Sequence, residues 1–385
     1  MTAAADTHYD VIVVGVGAMG SAACAELARR GARVLGIEQF DVPHSHGSSH
    51  GETRIIRLAY YEHPSYVSLL RRAYEMWHDL QSWFGEPLLV PTGSLDIGPE
   101  EGWVFKGSLQ SCVQHDLAHQ VLTAADVARR FPGFLMDRDA MAVFQPDGGF
   151  LRPERAIVAQ VQRAHSAGAV IHARERMEHW SSDAGGVTVH TSRGRYTAER
   201  LVLTTGAWIG DHSSLSDLAV PERQVLGWFQ PHEPDLFAPE RFPVFNLENE
   251  RGRWYGLPVY GIPGFKIGRY RHRGEAGRPD SFNWEPEPLD EQMLRDEVER
   301  SFPAAAGPVM SLRVCMFTNT PDGHFIIDRA PGQPRVVLAS PCSGHGFKFA
   351  PVIGEALADL VWDGRTRHDL SLFALGRLTS ALAPA

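Results

Sequence analysis

Lysine is nearly absent from this 385-residue chain. Lys106, Lys266 and Lys348 are three of its 37 basic residues, and the other 34 are arginine. Because the chain uses arginine almost everywhere a cation is needed, each retained lysine is a candidate for a task that requires a compact, titratable ammonium group.

Cysteine is also scarce, and no cysteine pair has the CxxC spacing of a zinc site or a redox dithiol. The four residues are Cys24, Cys112, Cys315 and Cys342. The chain has no signal-peptide pattern at its start and no apolar run near the roughly 20 residues of a membrane helix. We therefore expect a cytoplasmic protein that does not enter a membrane. The net charge of −9 argues against nucleic-acid binding.

The remaining composition is that of a folded protein with a large core. Hydrophobic residues make up 43% of the chain and charged residues 22%. At roughly 150 residues per domain, the length predicts two domains or one interleaved unit.

The amino-terminal segment has the pattern of a dinucleotide-binding βαβ unit. A predicted buried strand, Tyr9 to Val14, runs into Gly15-Val16-Gly17-Ala18-Met19-Gly20. A predicted helix from Ala22 to Arg30 follows, then a strand from Arg33 to Ile37 that ends on Glu38. Such glycines let the backbone approach a pyrophosphate at the helix N-terminus.

Glu38 is placed to accept hydrogen bonds from a ribose, which favours NAD or FAD over NADP. The acid does not separate NAD from FAD. An ordinary strand-to-helix turn is the alternative to dinucleotide binding, and the flanking strand, helix and acid argue against it.

A second glycine-rich turn lies near the carboxyl end. A predicted strand, Val336 to Ala339, is followed by Ser343-Gly344-His345-Gly346-Phe347-Lys348-Phe349 and a helix from about Pro351 to Trp362. Backbone donors at such a turn suit an electron-rich group, for example the pyrimidine edge of a flavin.

These motifs resemble the monomeric sarcosine oxidase and N-methyltryptophan oxidase family of FAD-dependent amine oxidases. The resemblance also rests on Pro43-His44, on Gly51-Glu52-Thr53-Arg54-Ile55-Ile56-Arg57, on Gly264-Phe265-Lys266-Ile267-Gly268 and on Cys315-Met316-Phe317. It covers nearly the whole chain. It implies an FAD bound covalently through a cysteine sulfur, and Cys315 stands at the matching position. From the residues alone, a single cysteine in an apolar strand is more often a packing residue.

The resemblance assigns the substrate carboxylate to Arg57 and Lys348, where a guanidinium forms a bidentate clamp and an ammonium adds a point charge. It places Arg54 close to the flavin, where it shapes the site. We expect a helix or turn after the preceding loop to put Arg54 and Arg57 on adjacent faces. Read without the motif, Arg54 would be a surface arginine.

Lys266 matches a family lysine that contacts the flavin through water and promotes the reaction with oxygen. The alternative is a solvated lysine on an edge strand. The resemblance also gives His50 a place in the flavin site. Further flavin-site positions are Gly344, His345, Gly346 and Lys348. A metal site at His44, His46 and His50 is not expected, since no carboxylate or cysteine motif completes it.

Three substrate-pocket positions are aromatic here. Phe317 stands where sarcosine oxidases have a tyrosine, Tyr270 stands where they have a histidine, and Tyr255 matches a third pocket residue. The loss of a hydroxyl and an imidazole puts sarcosine itself in doubt, and a bulkier or cyclic N-alkyl amino acid suits the less polar pocket.

We therefore predict an α/β and α+β protein, with a Rossmann-like FAD-binding domain interleaved with a mixed-sheet substrate domain. The expected FAD-binding segments are 1–85, 147–220 and 309–385, and the expected substrate-domain segments are 86–146 and 221–308. The predicted activity is oxidation of a secondary amino acid by a monomer, with O2 as acceptor and H2O2 as product. An NAD-dependent dehydrogenase and a non-catalytic flavin-binding protein are the alternatives.

Overall fold

The computed structural model describes residues 8–379, and the contacts within it divide the chain into two compact units. Unit 1 comprises residues up to His50, Glu154–Pro221 and the segment from Phe317 onward. Unit 2 comprises Gly51–Pro153 and Glu222–Met316. Each unit is therefore assembled from separate stretches of the chain.

Both units contain strands and α-helices. The strands are β1 His8–Val14, β2 Val34–Ile37, β3 Arg54–Ile56, β4 Leu89–Pro91, β5 Ser94–Pro99, β6 Gln120–Thr123, β7 Ala140–Gln145, β8 Gly149–Leu151, β9 Val170–His172, β10 Met177–Asp183, β11 Gly186–Thr191, β12 Arg195–Leu203, β13 Val220–Phe229, β14 Val244–Asn249, β15 Gly252–Leu257, β16 Phe265–Arg269, β17 Val309–Asn319, β18 Ile326–Ala330 and β19 Gln333–Ser340. The α-helices are α1 Ala18–Arg29, α2 Tyr66–Phe84, α3 Trp103–Gln114, α4 Ala124–Arg130, α5 Pro153–Ser166, α6 Pro288–Ser301, α7 Ala350–Trp362 and α8 Gly376–Thr379.

Unit 1 is built on a sheet with a parallel centre. Its strand order is β10-β11-β12-β1-β2-β9, and β19 pairs with β12 and with β18. The pairs β12–β1, β1–β2, β2–β9 and β12–β19 are parallel. Residues Val11 to Val14 of β1 and all of β2 are buried, as their apolar sequences require in a sheet covered on both faces. Helix α1 packs against α7, where a Cβ on Gly354 would lie only 2.7 Å from Ala22.

Unit 2 contains a mixed sheet with the order β17-β13-β16-β15-β14-β5-β7-β6 and a small sheet with the order β3-β8-β4. Only alternate residues of β15 need to face the core, which explains its mixed sequence. A cluster of buried phenylalanine rings fills the core beside the large sheet: Phe134, Phe237, Phe242, Phe245, Phe265 and Phe302. The large sheet thus has one strongly aromatic core face.

Several expected elements are confirmed with shifted bounds, and one is wrong. Helix α1 begins at Ala18 instead of Ala22, so the last fingerprint glycine belongs to its first turn. Arg54 begins a strand, β3, whereas a helix or turn was expected there. The reason is that Arg54–Ile56 pairs in antiparallel register with Gly149–Leu151. The paired residues are 93 to 97 positions apart, so the pairing cannot be predicted from the local sequence.

The contact units also differ from the expected domain segments. Residues 51–85, 147–153 and 309–316 belong to unit 2, although all three were expected in the FAD-binding domain, and Pro221, expected in the substrate domain, belongs to unit 1. The β3–β8 pairing draws the first of these segments into unit 2. The function of each unit stays a prediction. Within residues 8–379, no helix is both long and apolar enough to cross a membrane.

Candidate active site

The glycine fingerprint of unit 1 forms a tight turn with one open side. Gly15 has a φ of 89°, and a Cβ there would lie 2.5 Å from the carbonyl oxygen of Thr204. A Cβ on Gly20 would lie 1.9 Å from the carbonyl oxygen of Gly15. A Cβ on Gly17, by contrast, would meet only Ser49 Oγ, at 4.0 Å. Gly15 and Gly20 therefore hold the turn together, and Gly17 leaves room at the N-terminus of α1.

Glu38 is buried beside this turn. Its Oε2 accepts a hydrogen bond from the Val16 amide at 2.8 Å, and its Oε1 accepts one from the Phe40 amide at 3.0 Å. Burial raises the pKa of Glu38, and these backbone amides oppose that shift. Burial also lowers the pKa of His44, whose Nε2 lies 3.7 Å from Glu38 Oε1, to about 4. Because a carboxylate offers about four lone-pair sites, Glu38 can still accept hydrogen bonds from a ribose.

The second glycine-rich turn is also rigid. Ser343 and Gly344 both have positive φ, and the Ser343 amide donates to the carbonyl oxygen of Thr318 at 2.8 Å. A Cβ on Gly344 would lie 2.7 Å from the ring of Phe317, and one on Gly346 would lie 1.6 Å from the carbonyl oxygen of Pro341. Larger residues could not replace these glycines without moving the backbone.

His345 and Lys348 project from this turn and are almost fully buried. The ring of His345 stacks on Phe325 with centroids 4.8 Å apart, and its Nε2 lies 3.0 Å from the carbonyl oxygen of Gly323. Lys348 Nζ donates to the carbonyl oxygen of His345 at 2.8 Å. The structure thus brings together Phe317, Gly344, His345, Gly346 and Lys348 within unit 1. His50 is also buried in unit 1, at the end of the loop after β2.

In unit 2, Lys266 is a buried ammonium held by a turn. Its side chain comes from β16, and its Nζ donates to the carbonyl oxygens of Gly51 and Thr53, each at 2.7 Å. A third bond, at 3.1 Å, goes to Thr53 Oγ1. The ammonium also lies 5.2 Å from the ring centroid of Trp228, in cation–π range. The expected glycine-flanked strand is confirmed, and Lys266 is not a solvated residue, since it is only 1% exposed.

Cys315, Arg54 and Tyr255 are neighbours in unit 2. Arg54 Nη2 donates to Cys315 Sγ at 3.6 Å, and Arg54 Nη1 donates to the carbonyl oxygen of Thr53 at 2.9 Å. Tyr255 packs against the small apolar cluster that contains Cys315 and Trp228. Burial raises the pKa of Tyr255, which keeps its phenol neutral. Arg54 is thus a cation in direct contact with the sulfur of Cys315.

Arg57 is buried and already paired with an acid. Its Nη2 donates to both carboxylate oxygens of Glu62, at 3.1 and 2.8 Å, and its Nε lies 3.7 Å from Asp96 Oδ1. Burial alone would lower the pKa of Arg57, but these two acids raise it well above the ordinary value. The rings of Tyr60 and Tyr61 flank the guanidinium, with centroids 4.5 and 4.2 Å from its Cζ.

Tyr270 connects the neighbourhoods of Arg57 and Tyr255. Its ring centroid lies 5.1 Å from that of Tyr255, and its hydroxyl lies 3.3 Å from the hydroxyl of Tyr61. Burial raises the pKa of Tyr270, so it acts as a neutral hydrogen-bonding group. Unit 2 therefore brings together Lys266, Arg54, Cys315, Tyr255, Tyr270 and Arg57, all of which the sequence predicts.

Comparison with known proteins identifies the family. A family model described as FAD dependent oxidoreductase matches residues 10–360. The monomeric sarcosine oxidase of Streptomyces avermitilis is 41% identical over 97% of this chain and 99% of its own length. The chain belongs to the FAD-dependent oxidoreductase family. The N-methyl-L-tryptophan oxidase of Salmonella dublin is 32% identical over 96% of the chain and 99% of its own length. The predicted resemblance and the prediction of an FAD-dependent enzyme are confirmed.

Solved structures show the same fold. The L-proline dehydrogenase of P. horikoshii superposes with a TM-score of 0.84 at 21% identity, covering 98% of this chain and 99% of that one. NikD, described as an unusual amino acid oxidase, superposes with a TM-score of 0.82 at 25% identity, covering 95% and 97%. The predicted combination of α/β and α+β elements is confirmed by this likeness and by the two mixed sheets.

The residues of unit 1 fit the FAD that this family uses. The open side of Gly17 at the start of α1 suits a pyrophosphate, and Glu38 suits a ribose hydroxyl. Thr205 lies two residues after β12, and its buried hydroxyl Oγ1 has no hydrogen-bond partner among the described residues. This hydroxyl can form a hydrogen bond with the same FAD. No group of three or more His, Cys, Asp or Glu in residues 8–379 could hold a metal ion.

Sequence reasoning missed the groups that surround Arg57. Glu62 follows it by only five residues and was available as a charge partner from the sequence, as were the intervening Tyr60 and Tyr61. Asp96, from β5, gave no local signal. Glu62 and Asp96 thus partly neutralise the charge of Arg57, the residue predicted to bind the substrate carboxylate.

We expect Gly17→Val to lower the flavin content of the purified protein, because its side chain would project into the open side of the turn. Gly17 has an extended backbone, with a φ of −75°, which valine adopts without strain. The measurement is the ratio of flavin to protein absorbance, with the melting temperature as a check of folding. Gly194→Val is the matched control, since Gly194 also has open space around it. A normal flavin content in the Gly17 variant would contradict the assigned pyrophosphate position.

Proposed function

We propose that this protein is an oxidase of a secondary amino acid, N-methyl or cyclic. In the overall reaction, the carbon next to nitrogen loses a hydride equivalent, the resulting imine is hydrolysed, and O2 gains two electrons and two protons to give H2O2. Tight-binding FAD would supply the two-electron acceptor. The observation that carries this proposal is the group of buried and partly buried cations and neutral phenols in unit 2: Arg54, Arg57, Lys266, Tyr255 and Tyr270.

Arg57 is proposed to bind the substrate carboxylate. Its planar guanidinium can form a bidentate pair, and two tyrosine rings fix its plane. Glu62 occupies part of its donor set, so a substrate carboxylate must share the guanidinium with Glu62 or displace it. The resemblance assigns the same carboxylate to Lys348 of unit 1.

The substrate amine is proposed to be neutral when it reacts, because a protonated amine has no lone pair to assist loss of the hydride equivalent. Nearby cations disfavour a further positive charge and lower the pKa of a bound amine. Arg54 and Arg57 supply such charges in unit 2, and the raised pKa values of Tyr255 and Tyr270 keep these two phenols neutral. The chain therefore needs no strong general base for this step.

Lys266 is proposed to assist the reduction of oxygen. A fixed ammonium stabilises the negative charge that develops on O2 as it accepts an electron, and a preorganised charge needs no rearrangement at that moment. The three acceptors in the Gly51–Thr53 turn fix the position of its Nζ. His50, in unit 1, is retained from the resemblance as a further flavin-site residue. A monomeric state and a cytoplasmic location complete the proposal.

Cys315 is proposed as the site of covalent flavin attachment. It is 2% exposed, and its sulfur lies 3.6 Å from the Arg54 guanidinium. Burial raises the pKa of the other three cysteines, of Cys24 and Cys112 to about 12 and of Cys342 to about 11. Those three thiols are thereby held in their less reactive, neutral form.

The activity is tested by peroxide release and by anaerobic bleaching of the flavin with a panel of secondary amino acids, in both enantiomers. We expect at least one to bleach the flavin and to yield peroxide in air. Bleaching by none of the panel would contradict the proposed function. If a compound bleaches the flavin but no peroxide forms in air, the protein oxidises amines but O2 is not its electron acceptor.

Replacing Cys315 with alanine should release the flavin on acid precipitation. The wild-type pellet is expected to stay yellow, whereas the colour of the Cys315→Ala protein should pass to the supernatant. Cys24→Ala, which removes a buried thiol whose pKa is raised by burial, is the control and should keep its colour on the pellet. Yellow colour on the Cys315→Ala pellet would refute the assigned attachment.

The two buried lysines should have separable kinetic effects. Lys266→Met is expected to slow flavin reoxidation by about 10²-fold, the order seen for loss of one preorganised charge-stabilising donor, with a smaller effect on reduction. Lys348→Met should weaken substrate binding by about tenfold or more, the scale of one charged hydrogen bond. Stopped-flow measurements separate the two steps. Lys106→Met is the control, because that exposed lysine pairs with Glu101 at the surface. Equal slowing of both steps in Lys266→Met would count against its role with oxygen.

A further inference from the structure

Arg253 is a cation held by aromatic rings. It projects from β15, and its Cζ lies 4.2 Å from the ring centroid of Tyr270 and 4.5 Å from that of Trp103. Among the described residues, its side chain makes no hydrogen bond and no ion pair. Its cross-strand neighbour Glu248 turns away: Glu248 Oε2 accepts a hydrogen bond from the Val104 amide at 2.8 Å. All five donors of this half-buried guanidinium therefore remain available to a ligand.

Arg253 lies at the outer end of a row of rings that begins beside Cys315. Tyr255 packs in the cluster that contains Cys315, and its ring centroid lies 5.1 Å from that of Tyr270. Arg253 covers Tyr270, and Trp103, which is 46% exposed, lies beyond it. Because Arg253 and Tyr255 are alternate residues of β15, both side chains are on the same face of the strand.

Arg253 also shares a ring with the proposed carboxylate-binding residue. The Cζ atoms of Arg57 and Arg253 lie 4.2 and 5.9 Å from the ring centroid of Tyr61. The acid of this neighbourhood, Glu62, pairs with Arg57 at 2.8 Å and has no ion pair with Arg253. Two guanidinium groups thus stand around one tyrosine, and one of them has no acidic partner among the described residues.

We propose that Arg253 is a specificity-determining residue that binds a second carboxylate, at the end of the substrate side chain. The preferred substrates are then N-substituted amino dicarboxylates, with the α-carboxylate on Arg57 and the side-chain carboxylate on Arg253. Tyr61, whose ring both guanidinium groups approach, and Tyr270, which Arg253 covers, would then contact the connecting carbons. This inference rests on the proposed function and adds a substrate class to it.

The test compares N-methylglutamate with N-methylglutamine, in both enantiomers, as reductants of the flavin in the holoenzyme. The two differ by a carboxylate and an amide of nearly equal size. We expect the wild type to favour the dicarboxylate in kcat/KM by about 10- to 100-fold, the range for a charged hydrogen-bonded pair. Arg253→Met should abolish this preference, and Arg253→Lys should restore part of it.

Arg138→Met is the matched control. Arg138 is an exposed arginine of unit 2 with no hydrogen bond or ion pair among the described residues, so its loss changes the net charge equally. It should keep the wild-type preference. If Arg138→Met reduces the preference as much as Arg253→Met, the preference arises from long-range attraction by the charge of the protein. Direct binding by Arg253 would then not explain it, and the proposal is overturned. Equal use of both substrates by the wild type would overturn it as well, while leaving the amine oxidase function intact.

A second measurement tests the role of Arg253 without turnover, for the case in which neither compound bleaches the flavin. Calorimetric titration of the holoenzyme with glutarate and with its monoamide does not require turnover. Glutarate should bind about tenfold or more tightly than the monoamide, and Arg253→Met should remove that difference. Equal affinities in the wild type would overturn the role of Arg253.

Discussion

Burial of positive charge is the constraint around which the candidate site of unit 2 is organised. Moving a cation out of water carries a large cost unless other groups replace its hydration. Three cations meet this requirement in three ways. Neutral oxygens surround Lys266, carboxylates pair with Arg57, and aromatic faces cover Arg253. The charge of Arg57 is therefore partly neutralised by carboxylates, whereas the charges of Lys266 and Arg253 remain available to attract an anionic ligand.

The neutral oxygens around Lys266 explain why this position suits a lysine in a chain that otherwise uses arginine. An ammonium group has three donors on one small atom, and these match the two carbonyls and one hydroxyl of the Gly51–Thr53 turn. A planar guanidinium is wider and could not present its donors to acceptors so close together. Gly51 has a φ of 98°, so the turn itself depends on glycine. Oxygen dipoles hold the charge without cancelling it, which is what charge stabilisation at an electron acceptor requires.

The local sequence was sufficient for features whose partners are close in the chain. The fingerprint from β1 to Glu38 is such a case, because strand, turn and helix are contiguous. The strand at Arg54 and the limits of unit 2 could not be predicted, since they depend on pairing with β8, far along the chain. Arg253 gave no signal for the same reason: Trp103 and Tyr270, which cover it, come from separate elements.

The contacts of Tyr270 show what an aromatic residue does at this position of the site. Tyr270, which by the resemblance stands where sarcosine oxidases have a histidine, contacts Tyr255, Tyr61 and Arg253 at once. A histidine there could become positively charged at moderately acidic pH, and it would then repel the Arg253 guanidinium. A phenol whose pKa is raised by burial stays neutral and presents its electron-rich face to that guanidinium. The replacement therefore does more than remove an imidazole: it lets a second cation approach the site, and so extends the region that can recognise an anionic substrate.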